Sequence, residues 1–246
     1  MTRTTDPNGT PMNIQQTQRL AAIGMASAAT LAIAGFTALG SIFDYPKILK
    51  EPTADILAAY QEQHTAITGW FLVLVISAAL LAPVGVLLGR IAGGTLGRWI
   101  AAIGITGATV QVIGLSRWVL LIPGVSADAQ VQGPAAAAHH TFEQLHFWLG
   151  TILGETIGYA LTATFTVLVV IAITRQIAAR WLSWLGYASA ALIATGIVIP
   201  LGVAGASTTN FVGYIAWCLW LIAMAVVLWR TRTASRMTST LAATSH

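Results

Sequence analysis

Two groups of residues in this 246-residue chain have types and spacings suited to chemistry. His139, Glu143 and His146 stand at i, i+4 and i+7, on one face of a helix, and "EQLH" is a Glu-x-x-His pattern of the kind used in carboxylate di-iron bundles. A divalent metal there needs further ligands, and the chain offers His64, Asp44, Asp55 or Glu62; it has no second Glu-x-x-His and no His-Glu-x-x-His. His64 and His146 also fit as axial ligands of one haem. The plain alternative is that all of these are interfacial polar residues wetted by headgroups and water.

The second group is Glu155 and Arg117, each set within apolar sequence. An ionised side chain at the centre of a membrane helix costs about 2.5 to 3.5 kcal/mol, so such residues face a bundle interior, a partner or a cavity. At 100° per residue Thr151, Glu155, Tyr159, Thr162 and Thr166 share one helix face, which Gln144 and His140 extend. Arg117 lies about one turn inside the end of the preceding span, which places an ion pair with Glu155 within reach. Thr30, Thr37, Ser41 and Asp44 line a face of the first span; Asn210, Tyr214 and Trp217 line one of the last. Together they predict a polar pocket around Glu155. The competing reading is that hydroxyls merely hydrogen-bond between helices.

The elements that must position these residues are membrane spans. The chain is 56% hydrophobic and 8% charged, with mean hydropathy +0.75, against about 25% charged residues in a soluble domain. Six apolar runs reach the length needed to cross a bilayer: Leu20 to Phe43, Ala66 to Leu88, Trp99 to Ile122, Leu145 to Ile173, Trp181 to Val203 and Phe211 to Trp229. The expected fold is an all-α polytopic bundle over residues 17–230, between flexible cytoplasmic segments 1–16 and 231–246. With six spans, Arg3, Arg19, Arg90, Arg98, Arg175, Arg180, Arg230, Arg232 and Arg236 fall on one side, and only Lys47 and Lys50 lie in loops on the other. The positive-inside rule puts both termini in the cytoplasm and the histidines outside. The basic residues are scattered, which argues against nucleic acid as a partner.

The first span is longer than a signal-peptide core and reads as a retained helix. Cys218 stands alone, so it forms no internal disulfide or multi-cysteine metal site. In the first outer loop, "DYPKILKEPTADILAAYQEQH" predicts a short amphipathic helix after Pro52, lying at the interface with Ile56, Leu57 and Tyr60 opposite Asp55 and Glu62. The second, "PGVSADAQVQGPAAAA", reads as a loop, with Pro134 starting a helix into the fourth span. An offset of 82 residues aligns His64 with His146 and "RWIAAIG" with "RWLSWLG", suggesting a repeated helical hairpin. The glycines of "GRIAGGTLG", with Gly104, Gly107 and Gly114, read as points of close helix approach.

"FDYP" at 43–46, "GETIGY" at 154–159 and "AWCLWLIAMAVVLWR" at 216–230 resemble the bacterial six-helix membrane proteins grouped as domain of unknown function 4386. The resemblance implies fold and location and supplies no catalytic residue. P-loop, Rossmann and Gly-x-Ser-x-Gly motifs are absent, and no lysine falls within a span. The leading expectation is a protein of a bacterial cytoplasmic membrane, without cofactor, that binds or transports a small solute or lipid-like molecule in an outward-facing pocket. The rivals are a metal-dependent membrane enzyme using the histidine face and a structural subunit with no site.

Overall fold

The computed structural model describes residues 13–131, 135–174 and 180–243, with side chains up to residue 230. Arg3, Pro134 and Arg175 lie outside the described residues, as do the side chains of Arg232 and Arg236. The elements are helical throughout, with no strand among the described residues. Helix α1 (Ile14–Phe43) starts on a capping box in which Asn13 Oδ1 accepts from the Gln16 amide at 2.9 Å and Gln16 Oε1 accepts from the Asn13 amide at 3.1 Å. It stops at Asp44, whose left-handed conformation (φ 46°) turns the chain. A 3-10 turn (Lys47–Lys50) leads to α2 (Thr53–Glu62), then α3 (His64–Ala92) and α4 (Gly94–Leu120). The short α5 (Ile122–Asp128) follows, then α6 (Ala135–Leu145). That helix runs on as a π-helical stretch (His146–Ile157) into α7 (Gly158–Val169) and a second π turn (Val170–Thr174). Helix α8 (Arg180–Ala194) ends in a 3-10 stretch (Thr195–Leu201), and α9 spans Ala206–Ala243.

Six helical segments are long and apolar enough to cross a membrane: Ile14–Phe43, His64–Ala92, Gly94–Asp128, Ala135–Thr174, Arg180–Leu201 and Ala206–Arg230. The chain is a multi-pass membrane protein in contact with the lipid bilayer. Its ends are paired as six antiparallel passes require. Arg19 lies 5.3 Å from the ring centre of Trp229, joining the start of the first span to the end of the last. At the opposite end Lys50 Nζ donates to Ser207 Oγ at 3.2 Å. The exposed Trp99, Trp181, Trp184 and Trp229 ring the basic end, and Phe147, Trp148 and Phe211 mark the other.

Glycine sets the closest helix approaches, as the sequence suggests. A Cβ on Gly104 would lie 2.9 Å from the Gly85 Cα, and one on Gly114 would lie 2.8 Å from the Gly154 Cα, so α4 meets α3 on one side and the π-helical stretch on the other at backbone contact. Gly107 makes only ordinary contact, with Leu161.

Two apolar clusters result. One, toward the basic end, includes Met25, Leu88, Ile100, Phe165, Trp220 and Met224; the other, toward the opposite end, includes Phe43, Tyr60, Phe71, Trp118 and Phe142.

Two loop expectations change. Ile56, Leu57 and Tyr60 are buried as the amphipathic pattern foretold, but they pack within the second cluster instead of lying at the lipid interface. The aromatic rings of Phe43, Phe71 and Trp118 provide a protein surface for that face, so α2 caps the bundle. The second outer loop is partly helical, because Pro123 falls in the first turn of α5, where its missing N–H is not needed.

Candidate functional site

The site is built on the π-helical stretch. Thr156 Oγ1 donates to the Thr151 carbonyl five residues back, whereas Thr162 Oγ1 in α7 donates to Gly158, four back. The wider turn changes the angular step per residue, so the α-helical wheel that placed Thr151, Glu155 and Tyr159 on one line with Gln144 and His140 does not hold across it. His140 and Gln144 are exposed, the latter accepting from Trp148 Nε1 at 3.2 Å. His146, Thr151, Glu155 and Tyr159 are partly accessible. Gly150 and Gly154 remove the side chains that would otherwise keep this stretch away from α4.

Arg117 is 4% exposed and is held from two sides. Its Nη1 donates to the Gly114 carbonyl, and its guanidinium lies 5.5 Å from the Trp118 ring centre. Its Nη2 faces Gly150, where a Cβ would sit 2.7 Å from it and 3.3 Å from His146 Nδ1. The His146 ring stacks on Phe142 at 5.8 Å, and its Nδ1 is buried with no hydrogen-bond partner. Arg117 and Glu155 lie in each other's electrostatic field, but the expected contact ion pair is not formed. The Gly114 carbonyl and the Trp118 ring hold the guanidinium on the Gly150 side.

Tyr45 belongs to the same interior. It follows α1, packs edge-on against Phe71 at 5.3 Å, and feels the charges of both Arg117 and Glu155. Burial pushes its phenol up to about 12, with Arg117 acting downward and Glu155 upward. Tyr45, Glu155, Tyr159 and Tyr214 each keep part of their surface accessible. Tyr45 packs on the second apolar cluster, while Tyr159 and Tyr214 pack on the first.

Hydrogen bonds tie the helices together around Tyr214, Trp217 and Asn210. Gln111 Nε2 donates to Thr162 Oγ1 and to Tyr214 Oη, each at 3.2 Å. Trp217 Nε1 donates to Thr166 Oγ1 at 2.8 Å. Asn210 Nδ2 donates to the Ile193 carbonyl at 2.7 Å and, with Tyr159, closes over Gly196, so Asn210 fastens the 3-10 stretch. Here hydroxyls and amides join helices, as the alternative reading of the polar stripe has it.

The remaining candidates are elsewhere. Asp44 is exposed and pairs with Lys47 at 3.7 Å, and Thr30, Thr37 and Ser41 are exposed too. The first span turns its small residues Ala21, Ala22, Ala28 and Ala29 inward, where close packing favours them, while Ser41 satisfies its hydroxyl on its own helix at Ala38. Glu143 is exposed and accepts from Thr53 Oγ1 at 3.1 Å; His64 is exposed beside Thr65. His139 is only partly accessible, but no three His, Cys, Asp or Glu residues are grouped to hold a metal among the described residues.

Sequence reasoning missed Gln111 and Tyr45 and assigned His146 to the outer surface. Gln111 carried a usable signal, since Gln111, Gly114 and Arg117 recur at three-residue spacing on one side of a helix. Tyr45 had none beyond its place in "FDYP".

No curated protein and no solved structure matches the chain. A family model, described as a domain of unknown function (DUF4386), matches residues 20–233, and the chain, with its six apolar helices, belongs to that family.

Proposed function

We propose that this protein binds and carries a small polar solute through a chamber around Glu155, opening at the end opposite Arg19, Arg90, Arg98, Arg180 and Arg230. That end is the outer face of a bacterial cytoplasmic membrane, since Arg19, Arg90, Arg98, Arg180 and Arg230 all lie at the other. One observation carries the reading: a glutamate and an arginine share the interior of a membrane bundle without a contact ion pair. Charges kept only for structure would lower their cost by direct pairing, whereas charges apart remain available to an occupant. His146 Nδ1, buried and unpartnered, adds a third available group.

Cysteine accessibility tests this. In a Cys218→Ala background, Asp44→Cys reports the rim and Tyr159→Cys the chamber. A membrane-impermeant thiol reagent added outside should modify both. Modification of Asp44→Cys alone would show a sealed interior and overturn the carrier reading. Modification of Asp44→Cys only from the cytoplasmic side would reverse the orientation.

A further inference from the structure

The fifth and sixth spans meet, at the end opposite Arg180 and Arg230, across a groove of about 450 Å³. Ala191, Ala194 and Val198 line one wall, and Val203, Ala206 and Thr209 the other. The chain turns around its end at Gly202 (φ 73°) and Gly205 (φ 80°). Apart from Thr195 and Thr209 the lining is aliphatic, and Thr195 Oγ1 is taken up by the Leu192 and Ala206 carbonyls at 2.7 and 3.3 Å. Ala191 and Val203 are exposed, so the groove opens toward lipid.

Its depth matches one leaflet. Ala191 lies about 15 Å along α8 from Trp181, half of a hydrocarbon core about 30 Å thick. The 3-10 stretch Thr195–Leu201 rises by about 2 Å per residue and carries the groove on to the membrane surface. There Lys50 Nζ donates to Ser207 Oγ at 3.2 Å, one residue from the lining Ala206. Lys47 is paired with Asp44, whereas Lys50 is exposed and forms no ion pair among the described residues. An open cation at the head of an apolar groove complements a phosphate carried on an acyl chain. The rest of that end is acidic, with Glu51, Asp55, Glu62, Asp128 and Glu143 exposed. A head group of net negative charge is disfavoured there, and one whose phosphate is balanced by an ammonium is favoured. We infer that the groove holds one zwitterionic phospholipid of the phosphatidylethanolamine type, an acyl chain between the fifth and sixth spans and its phosphate on Lys50 and Ser207.

The test places the full-length protein in nanodiscs of equal parts phosphatidylethanolamine, phosphatidylglycerol and diacylglycerol, releases it into detergent, and identifies the lipid that stays bound by native mass spectrometry. One phosphatidylethanolamine should be retained, at least about threefold over either competitor. Lys50→Gln should lower that retention about threefold or more, as loss of an exposed charge contact implies. Lys47→Gln should leave it unchanged, because that charge is already paired. Ala191→Phe, a ring added at an exposed position of the wall, should abolish it. The wild-type comparison among lipids needs no variant to fold. Absence of any retained lipid overturns the inference, as does diacylglycerol or phosphatidylglycerol held as strongly as phosphatidylethanolamine. Retention that survives both Lys50→Gln and Ala191→Phe would belong to the general lipid annulus and overturns it as well.

Discussion

Gly150 and Arg117 occupy one space: a Cβ on the glycine would lie 2.7 Å from Nη2 and 2.9 Å from Cζ of the guanidinium. Gly150→Ala must therefore move the end of a side chain, whereas Gly114→Ala would press on the Gly154 Cα and the Leu149 carbonyl, which are backbone. The expected cost for Gly114→Ala is about 1–3 kcal/mol, as for overpacking elsewhere. Gly150→Ala should cost less while displacing Arg117, and Gly69→Ala, with open space around it, should stay within about 0.5 kcal/mol. Unfolding of the three variants in mixed micelles measures the order.

A double-mutant cycle on Glu155 and Arg117 should give favourable but moderate coupling. At an effective dielectric near 20, opposite charges 4 Å apart interact by about 4 kcal/mol, and these two are not in contact. The expected coupling is about 1–3 kcal/mol, with Glu155→Gln/Arg117→Gln more stable than the sum of the single losses implies. Strict additivity would show that the two charges do not share an interior. Coupling above the contact value would show that they pair directly in the membrane.

The six passes were legible because hydropathy, the distribution of arginines and the tryptophans beside them all report the same bilayer. "RW" at 98–99 and 180–181 opens two spans, and both tryptophans are exposed at the basic end. Glu155 and Arg117 were legible as interior groups because a charge in apolar sequence has few places to go. Their separation was not, since it depends on the π turn that begins at His146, and nothing local in "HFWLGTILGETI" distinguishes a π turn from an α turn. The burial of α2 depended likewise on Phe43, Phe71 and Trp118, three residues distant in sequence, meeting over the bundle end.

Gln111 should be the keystone of the hydrogen bonds that join α4 to α7 and α9. It donates to both Thr162 and Tyr214, so Gln111→Leu removes two interhelical hydrogen bonds and Tyr214→Phe only one. Membrane hydrogen bonds average about 0.6 kcal/mol each, so Tyr214→Phe should cost about that and Gln111→Leu roughly twice as much. Adding Tyr214→Phe to Gln111→Leu should then cost little, because the bond it removes is already lost. Equal losses from Tyr214→Phe in both backgrounds would show that the network is not shared.

Tyr45 offers a titration that reads the charges of Arg117 and Glu155. Its phenol is pushed up to about 12, chiefly by burial, while an unfolded tyrosine titrates near about 10. Between those values the folded chain keeps a proton that the unfolded chain has lost. The contribution to stability is therefore complete below about pH 10 and declines as pH rises through about 12. Ultraviolet difference absorbance between the wild-type chain and Tyr45→Phe should show one tyrosinate forming near pH 12. Glu155 raises this value and Arg117 lowers it, so Glu155→Gln should move the transition down and Arg117→Gln should move it up. A transition near pH 10 that neither variant moves would place Tyr45 in water, beyond the reach of both charges.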